Sequence, residues 1–484
     1  MVKPLDDARP QYEVSALVER LKSIKAHSTD LGNARRLAGL FRIDIRYCPQ
    51  QKQWLIWNGS RWGWDEIDEI KRYARRTILA MHGQAYDEED EDKRERLSKW
   101  AWQSEFANRI ANMVSLARSE YGIPILMTEL DANPNLIGVQ NGIIDLVTGQ
   151  RRPAARQDYI TKRCPVEFDR DARCPRFLQF LNQITNGDEQ LARYLQCIAG
   201  YCLTGSTKEQ CLFILYGPGA NGKSVFLRII QALMGDYART TPPETLMKRT
   251  NSRGPSPDLV RLHGVRLAVA FEPNEGEMMA EEVVKRITGQ DTIVCRDLYG
   301  KYFEYDPQFK MMLVTNHKPI IRGTDHAIWR RIQLIPFTVI IPDDEQDRDL
   351  AEKLIAELPG ILNWSLEGLQ IYRSEGLKLP DCVVEATKEY RCEMDIIGDW
   401  IDECCVEGPA LQASMKDVYS SYRAWCKSSG HYPFSKKRFG QRLRDRGITD
   451  GRESWGRFYV GLALRDPNQP DILDQTVHGA FASG

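Results

Sequence analysis

Leu212-Phe213-Ile214-Leu215-Tyr216-Gly217-Pro218-Gly219-Ala220-Asn221-Gly222-Lys223-Ser224 is the stretch that sets the fold. Five apolar residues bounded by glycine predict a buried strand, and residues 225–234 return to helical spacing directly after the loop. Between strand and helix lies Gly-x-x-x-x-Gly-Lys-Ser, in the setting that phosphate binding requires. Glycines let backbone N–H groups converge on phosphate oxygens, and the helix N-terminus adds the positive end of its dipole. Gly217, Pro218, Gly219, Ala220, Asn221, Gly222, Lys223, Ser224 and Val225 are therefore the expected nucleotide-binding set, with ATP and Mg2+ as ligands. In that reading Lys223 reaches the β and γ phosphates and Ser224 ligates the metal.

A second buried strand, over residues 265–271, ends in Glu272, with Glu275 three residues on. A carboxylate at the C-terminal end of a neighbouring strand can hold Mg2+ through water and take a proton from the attacking water. Glu272 is the first choice for these tasks, and its division of labour with Glu275 stays open because Pro273-Asn274 separates them. A third strand, 310–315, ends at Asn316, an uncharged group able to orient a lytic water. Taken alone, an asparagine there is more often a cap or a turn. Short buried strands alternate with helices over 209–380, the pattern of an α/β core with a parallel sheet.

The order of these motifs, followed by Leu313-Val314-Thr315-Asn316-His317-Lys318-Pro319, Ile328-Trp329-Arg330-Arg331-Ile332 and Pro336-Phe337, resembles the superfamily 3 helicases. Leu298-Tyr299-Gly300-Lys301 and Leu358-Pro359-Gly360-Ile361-Leu362-Asn363-Trp364 make it more similar to the phage and plasmid primase-helicase family that includes poxviral replication helicases. The resemblance runs over residues 141–390. It implies an AAA+ type P-loop ATPase that assembles as a homo-hexameric ring, moves 3′ to 5′ on single-stranded DNA and opens forked DNA. It also implies a phage or mobile-element protein in the cytoplasm of a bacterial host, working beside a primase, polymerase or origin-binding protein. Carried over by position, Asn316 matches sensor 1, Arg331 matches an arginine finger given in trans, and Arg330 is its neighbour. Lys301 falls on a channel hairpin between strands expected over 292–297 and 302–306, with Tyr299 beside it to pack or to stack. Without the resemblance, Arg330 and Arg331 read as members of a surface salt bridge.

The rest of the chain frames this core. Its 484 residues carry 66 Lys plus Arg against 67 Asp plus Glu and are 42% hydrophobic, which fits several globular domains. No run of about 18 apolar residues and no apolar leader occur, so the expectation is an intracellular protein without a membrane span. Twelve cysteines lack metal-ligand spacing and read as reduced thiols. Residues 1–165 are expected to form a helicase-associated α+β domain, without a primase module. Within it, Asn58-Gly59 predicts a two-residue hairpin turn setting Trp57 opposite Ser60 and Leu55 opposite Trp62. The resulting face of Leu55, Trp57, Trp62 and Trp64 stacks single-stranded bases or packs on the following helix, 66–80, the latter being favoured. The six acidic residues 87–92 read as a solvated loop, and Asn141-Gly142 as a second turn.

Residues 166–208 read as a helical collar, with Leu178, Leu181 and Ile184 on one stripe. Residues 381–465 read as a basic winged-helix-like domain, helical and then ending in strands. Within 414–465 there are twelve Lys plus Arg against four Asp plus Glu, in a chain of net charge −1. Lys436, Lys437, Arg438 and Arg442 are the candidate DNA contacts there, a solvated helix or subunit contact being the alternative. Residues 466–484 have the composition of a disordered tail. Two other classes share these features: an AAA+ remodeller of protein substrates, and a DNA-binding initiator whose ATPase only switches assembly.

Overall fold

The computed structural model describes residues 13–248, 257–296, 302–323, 326–453 and 456–465. The chain divides into two compact units, residues 1–320 with 325–387, and residues 321–324 with 388–484. The expected tail, 466–484, lies outside the described residues.

The larger unit is built on five strands: β1 (Leu212–Tyr216), β2 (Ala238–Thr240), β3 (Leu267–Phe271), β4 (Lys310–Thr315) and β5 (Ile332–Pro336). All pair in parallel, in the order β5-β1-β4-β3-β2. Strands β1 and β4 are apolar almost throughout because helices cover both faces of a parallel sheet. The sheet corrects one expectation: β3, which carries Glu272, is not the neighbour of the loop-bearing strand β1, since β4 lies between them.

Helices Pro175–Ile184, Glu189–Leu203, Lys223–Met234 and Leu358–Glu375 share one hydrophobic core with this sheet. The first of them turns Phe177, Phe180, Leu181 and Ile184 inward, so Leu181 and Ile184 face the core as expected while Leu178 is exposed. Glu189–Leu203 and Leu358–Glu375 cross at two glycines. A Cβ on Gly200 would lie 2.2 Å from the Leu369 nitrogen, and one on Gly368 would lie 2.1 Å from the Gln196 carbonyl. Any larger side chain would force the helices apart.

Two buried cations close the C-terminal end of Glu189–Leu203. Arg266, immediately before β3, donates to the carbonyls of Leu203 (2.5 Å), Leu136 (2.6 Å) and Asn133 (3.3 Å), with its guanidinium 4.6 Å from the Tyr237 ring centre. Lys310, the first residue of β4, donates to the carbonyls of Thr204, Ser206 (3.4 Å) and Gln308 (3.2 Å). Cations are favoured at this end of a helix, and here they also supply the donors that its last carbonyls lack.

The N-terminal part of this unit is α+β, with two three-stranded antiparallel sheets among its helices. The hairpin of Gln53–Trp57 with Trp62–Trp64 differs from the expectation by two residues: Leu55 faces Trp64 and Trp57 faces Trp62. The reason is Asn58, whose carboxamide oxygen accepts the N–H of Ser60 (3.0 Å) and Arg61 (2.9 Å) and so makes a four-residue loop. A shift of two keeps the same side chains on one face. Trp57 and Trp62 are buried and closed to nucleotide bases, but they pack with Ile125, Leu130 and Tyr159 rather than on the next helix. That helix, Glu69–Tyr86, receives the opposite face through Trp54 and Ile56.

The acidic run is only partly a loop. Asp90 caps helix Glu91–Ser104 by accepting the Lys93 N–H at 2.9 Å, and Glu91 and Asp92 occupy its first turn, where the dipole favours them. Gly142 already pairs with Val139, so the second turn is centred on Gln140-Asn141 rather than Asn141-Gly142.

The smaller unit runs helix Ile396–Cys404, strand Cys405–Ser414, helices Met415–Ser428 and Lys436–Asp445, then strands Thr449–Glu453 and Gly456–Leu464. Gly456–Leu464 is the middle strand of its antiparallel sheet. Trp400, Tyr422 and Phe439 form its core, with the Tyr422 and Phe439 rings stacked at 4.4 Å.

Replacing Arg266 by Met retains the stem but takes the guanidinium donor away from the buried carbonyls of Leu203 and Leu136. The expected loss is about 3 kcal/mol of unfolding free energy, read as a lower urea midpoint; an unchanged midpoint would refute the role assigned to this side chain.

Candidate phosphate-binding edge

Parallel register brings the ends of the strands level. Tyr216 of β1 is aligned with Thr315 of β4 and Pro336 of β5, and Phe271 of β3 with Val314 of β4. The chain therefore leaves the sheet at Gly217, Asn316 and Glu272 along one edge. This is where ligands collect in open parallel sheets.

The loop after β1 is fixed from two sides. Asn221, buried, donates to the Phe337 carbonyl at 3.0 Å, and the Ile341 N–H donates to the Ala220 carbonyl at 2.8 Å. On the other side lies the collar helix: a Cβ on Gly222 would come within 2.3 Å of Ile184 Cγ2. Ala220 and Gly222 adopt left-handed conformations, φ 56° and 80°, which turn successive N–H groups into the loop. Helix Lys223–Met234 begins at once, so its free N–H groups face the same space.

Lys223 is buried. Its ammonium donates to the carbonyls of Gly217 (2.6 Å) and Pro218 (3.0 Å) and to Asn316 Oδ1 (3.1 Å). Burial pushes its pKa down to about 8, and the negative charge of Glu272 partly offsets that effect. Ser224 is exposed at the next position.

Glu272 has φ 47°, an uncommon conformation for a residue with a side chain, and its N–H donates to the Val314 carbonyl at 2.8 Å. The bend leaves Glu272 exposed at the edge. Glu275 is also exposed but lies 3.9 Å from His317 Nδ1. Of the two acids, Glu272 is the one electrostatically coupled to Lys223. A hard divalent cation would find its oxygen donors here in the Ser224 hydroxyl and the Glu272 carboxylate. Thr315, unremarked in the sequence, accepts the His317 N–H at 3.0 Å and donates to the His317 carbonyl at 2.5 Å, fixing the turn that presents Asn316.

The remaining candidates lie elsewhere. Arg331 is 9% exposed and donates to the Ala327 carbonyl at 2.5 Å, whereas Arg330 is exposed and donates to Gln210 Oε1 at 3.0 Å. Tyr299 and Lys301 lie outside the described residues; the strands on either side, Ile293–Arg296 and Tyr302–Tyr305, pair antiparallel with Arg296 opposite Tyr302. In the smaller unit Lys436 and Lys437 are exposed in the first turn of their helix. Arg438 and Arg442 are half-buried, the former with its guanidinium 4.8 Å from the Phe434 ring centre.

Known proteins share these segments. Residues 34–186 match the D5 N terminal like family, 215–331 a family of unknown function (DUF5906), and 392–447 the poxvirus D5 protein-like family. "Putative helicase L207/L206" of Acanthamoeba polyphaga mimivirus is 28% identical over 428 residues, covering 80% of this chain and 44% of that protein. "Putative helicase 022R" of Frog virus 3 is 29% identical, covering 58% of this chain and 31% of that protein. The chain thus spans less than half the length of these relatives. The apo structure of NrS-1 C terminal region covers 86% of this chain and 95% of its own, at 9% identity and a TM-score of 0.47. On either side of its glycine-rich loop, then, the chain matches the D5 N terminal like and poxvirus D5 protein-like families, and the relatives named above are putative helicases of large DNA viruses.

Proposed function

We propose that the chain is the ATP-hydrolysing motor of a replicative DNA helicase. The observation that carries this reading is the convergence of Lys223, Asn316 and Glu272 on one sheet edge beside a helix N-terminus. ATP with Mg2+ supplies the phosphoryl group whose hydrolysis drives the motor. In this reading Lys223 exchanges the carbonyls of Gly217 and Pro218 for phosphate oxygens, and the loop N–H groups neutralise the rest of the charge. Ser224 directly and Glu272 through water would hold the metal, Glu272 would take the proton of the attacking water, and Asn316 would orient that water. The sheet order, with the acid strand separated from the loop strand by the Asn316 strand, supports an AAA+ type core.

An arginine given to a neighbouring subunit has to be exposed, which Arg330 satisfies as the structure stands, whereas Arg331 is buried and would have to leave its present partners, the Ala327 carbonyl among them. A homo-hexameric ring on single-stranded DNA, moving 3′ to 5′ and opening forked DNA, completes the reading, with Tyr299 and Lys301 as channel contacts. The order of helix, strand, two helices and hairpin supports a winged-helix-like smaller unit, with Lys436, Lys437, Arg438 and Arg442 as its DNA contacts.

Strand displacement on a tailed duplex, beside ring counting by negative-stain microscopy, tests the whole. ATP-dependent displacement is expected from the wild-type chain and none from Lys223→Ala; displacement by both would remove the motor from this edge.

Lys223 also sets a pH dependence. Phosphate favours the protonated amine, so affinity for a non-hydrolysable ATP analogue is expected to be highest below pH 8 and to fall as pH rises through about 8. Calorimetric titration across that range checks this. Lys223→Ala is expected to bind weakly with a flat profile, and a profile like that of the wild-type chain would count against the assignment.

Glu272→Gln is expected to bind ATP normally and to hydrolyse it at least about a hundredfold more slowly, the range for losing a general base. Glu275→Gln is expected to retain most of the rate. A reversed ranking of the two variants would exchange their roles.

A further inference from the structure

In the smaller unit, helix Lys436–Asp445 and the hairpin of Thr449–Glu453 with Gly456–Leu464 enclose an open groove of about 600 Å3. Lys436, Lys437 and Arg444 line it from the helix, and Arg452 and Arg457 from the hairpin. Asp450 neutralises Arg444 at 2.8 Å. Among the described residues, the other four cations have no ion-pair or hydrogen-bond partner for their side chains.

Their placement is unfavourable for the protein alone. Arg452 stands directly opposite Arg457 in the antiparallel pair, and like charges in that position destabilise a hairpin. Lys436 and Lys437 occupy the first turn of a helix, where the dipole is already positive. Both oppositions turn into attraction once a chain of negative charge runs between the walls. Cations on two facing walls suit a row of phosphates, the groups that carry one negative charge per nucleotide whatever the base.

We propose that this groove holds the sugar–phosphate backbone of a DNA strand independently of sequence, with Arg452, Arg457, Lys436 and Lys437 gripping its phosphates. The inference rests on the reading of this unit as DNA-binding and moves the binding surface. Arg438 and Arg442 are half-buried, while the exposed side of the helix faces Arg452 and Arg457 across the groove.

The experiment is a salt titration of binding by the full chain to labelled single-stranded oligonucleotides of two unrelated sequences, followed by fluorescence anisotropy. R452A/R457A is expected to reduce the slope of log K against log salt by about 1.4, from roughly 0.7 for each phosphate of a single strand that is no longer neutralised. The reduction is expected to be equal on both sequences. R452K/R457K, which keeps the charges, is expected to keep the slope.

An unchanged slope in R452A/R457A would overturn the proposal, as would displacement of DNA by polyglutamate at equal charge concentration. Should the hairpin variant fail to fold, K436Q/K437Q carries the same test from the other wall, with the same expected drop of about 1.4. ATP hydrolysis by the wild-type chain is measured in the same preparation. Its absence would count against the motor reading and leave the groove result standing.

Discussion

The absence of a side chain at Gly222 is the constraint on which the larger unit depends. The collar helix reaches the loop there, with Ile184 Cγ2 and the Phe180 ring occupying the space that a Cβ would need. That contact lets helix Lys223–Met234 start at the sheet edge, and its early start aims the helix N-terminus and Lys223 at the same volume. A side chain at 222 would be strained in its backbone conformation and would also push the collar away. Helix Pro175–Ile184 is therefore part of the loop's wall as well as part of the core.

Polar groups at this edge are held by backbone atoms more than by each other. Asn221 is tied to the Phe337 carbonyl, Asn316 is presented by the turn that Thr315 closes, and Lys223 rests on the carbonyls of its own loop. Among the described residues, backbone partners keep these side chains in place without a compensating carboxylate at bonding distance. Glu272 is left exposed at the edge, with its charge felt by Lys223 and its own backbone bent to present it. Local conformational cost of this kind tends to be concentrated where chemistry needs a set direction.

The strand, loop and helix at 212–234 were legible in the sequence because local signals decide them: an apolar run, glycines at fixed offsets, and a resumed helical period. The flanking strands of the 293–305 hairpin were legible for the same reason. Contacts distant in sequence were not. That β4 lies between β1 and β3 depends on how the strands sort in the sheet, which no single stretch encodes. The Trp hairpin register turned on one carboxamide that formed its own turn in place of the Asn-Gly one. Strand Cys405–Ser414 lies in a stretch that the sequence reads as helical; its pairing with Gly456–Leu464, distant in sequence, shifts register between Glu407 and Gln412. At the candidate site the residue types were visible, whereas the burial of Arg331 and the pairing of Glu275 with His317 come only from packing.

Arg266 and Lys310 stand at the amino ends of β3 and β4, and Glu272 and Asn316 follow their carboxyl ends. Each of these strands is thus a short rod, anchored at one end to the collar and carrying a polar group at the other. The anchors are fans of hydrogen bonds to several carbonyls at once, so they resist pull in more than one direction. A displacement of the C-terminal end of helix Glu189–Leu203 has two outlets: breaking those bonds, or sliding the paired rods, with β4 moving along β1. The second would shift the acid and the amide together relative to the glycine loop, so geometry at the edge is tied to the position of helix Glu189–Leu203 at the other end of the strands.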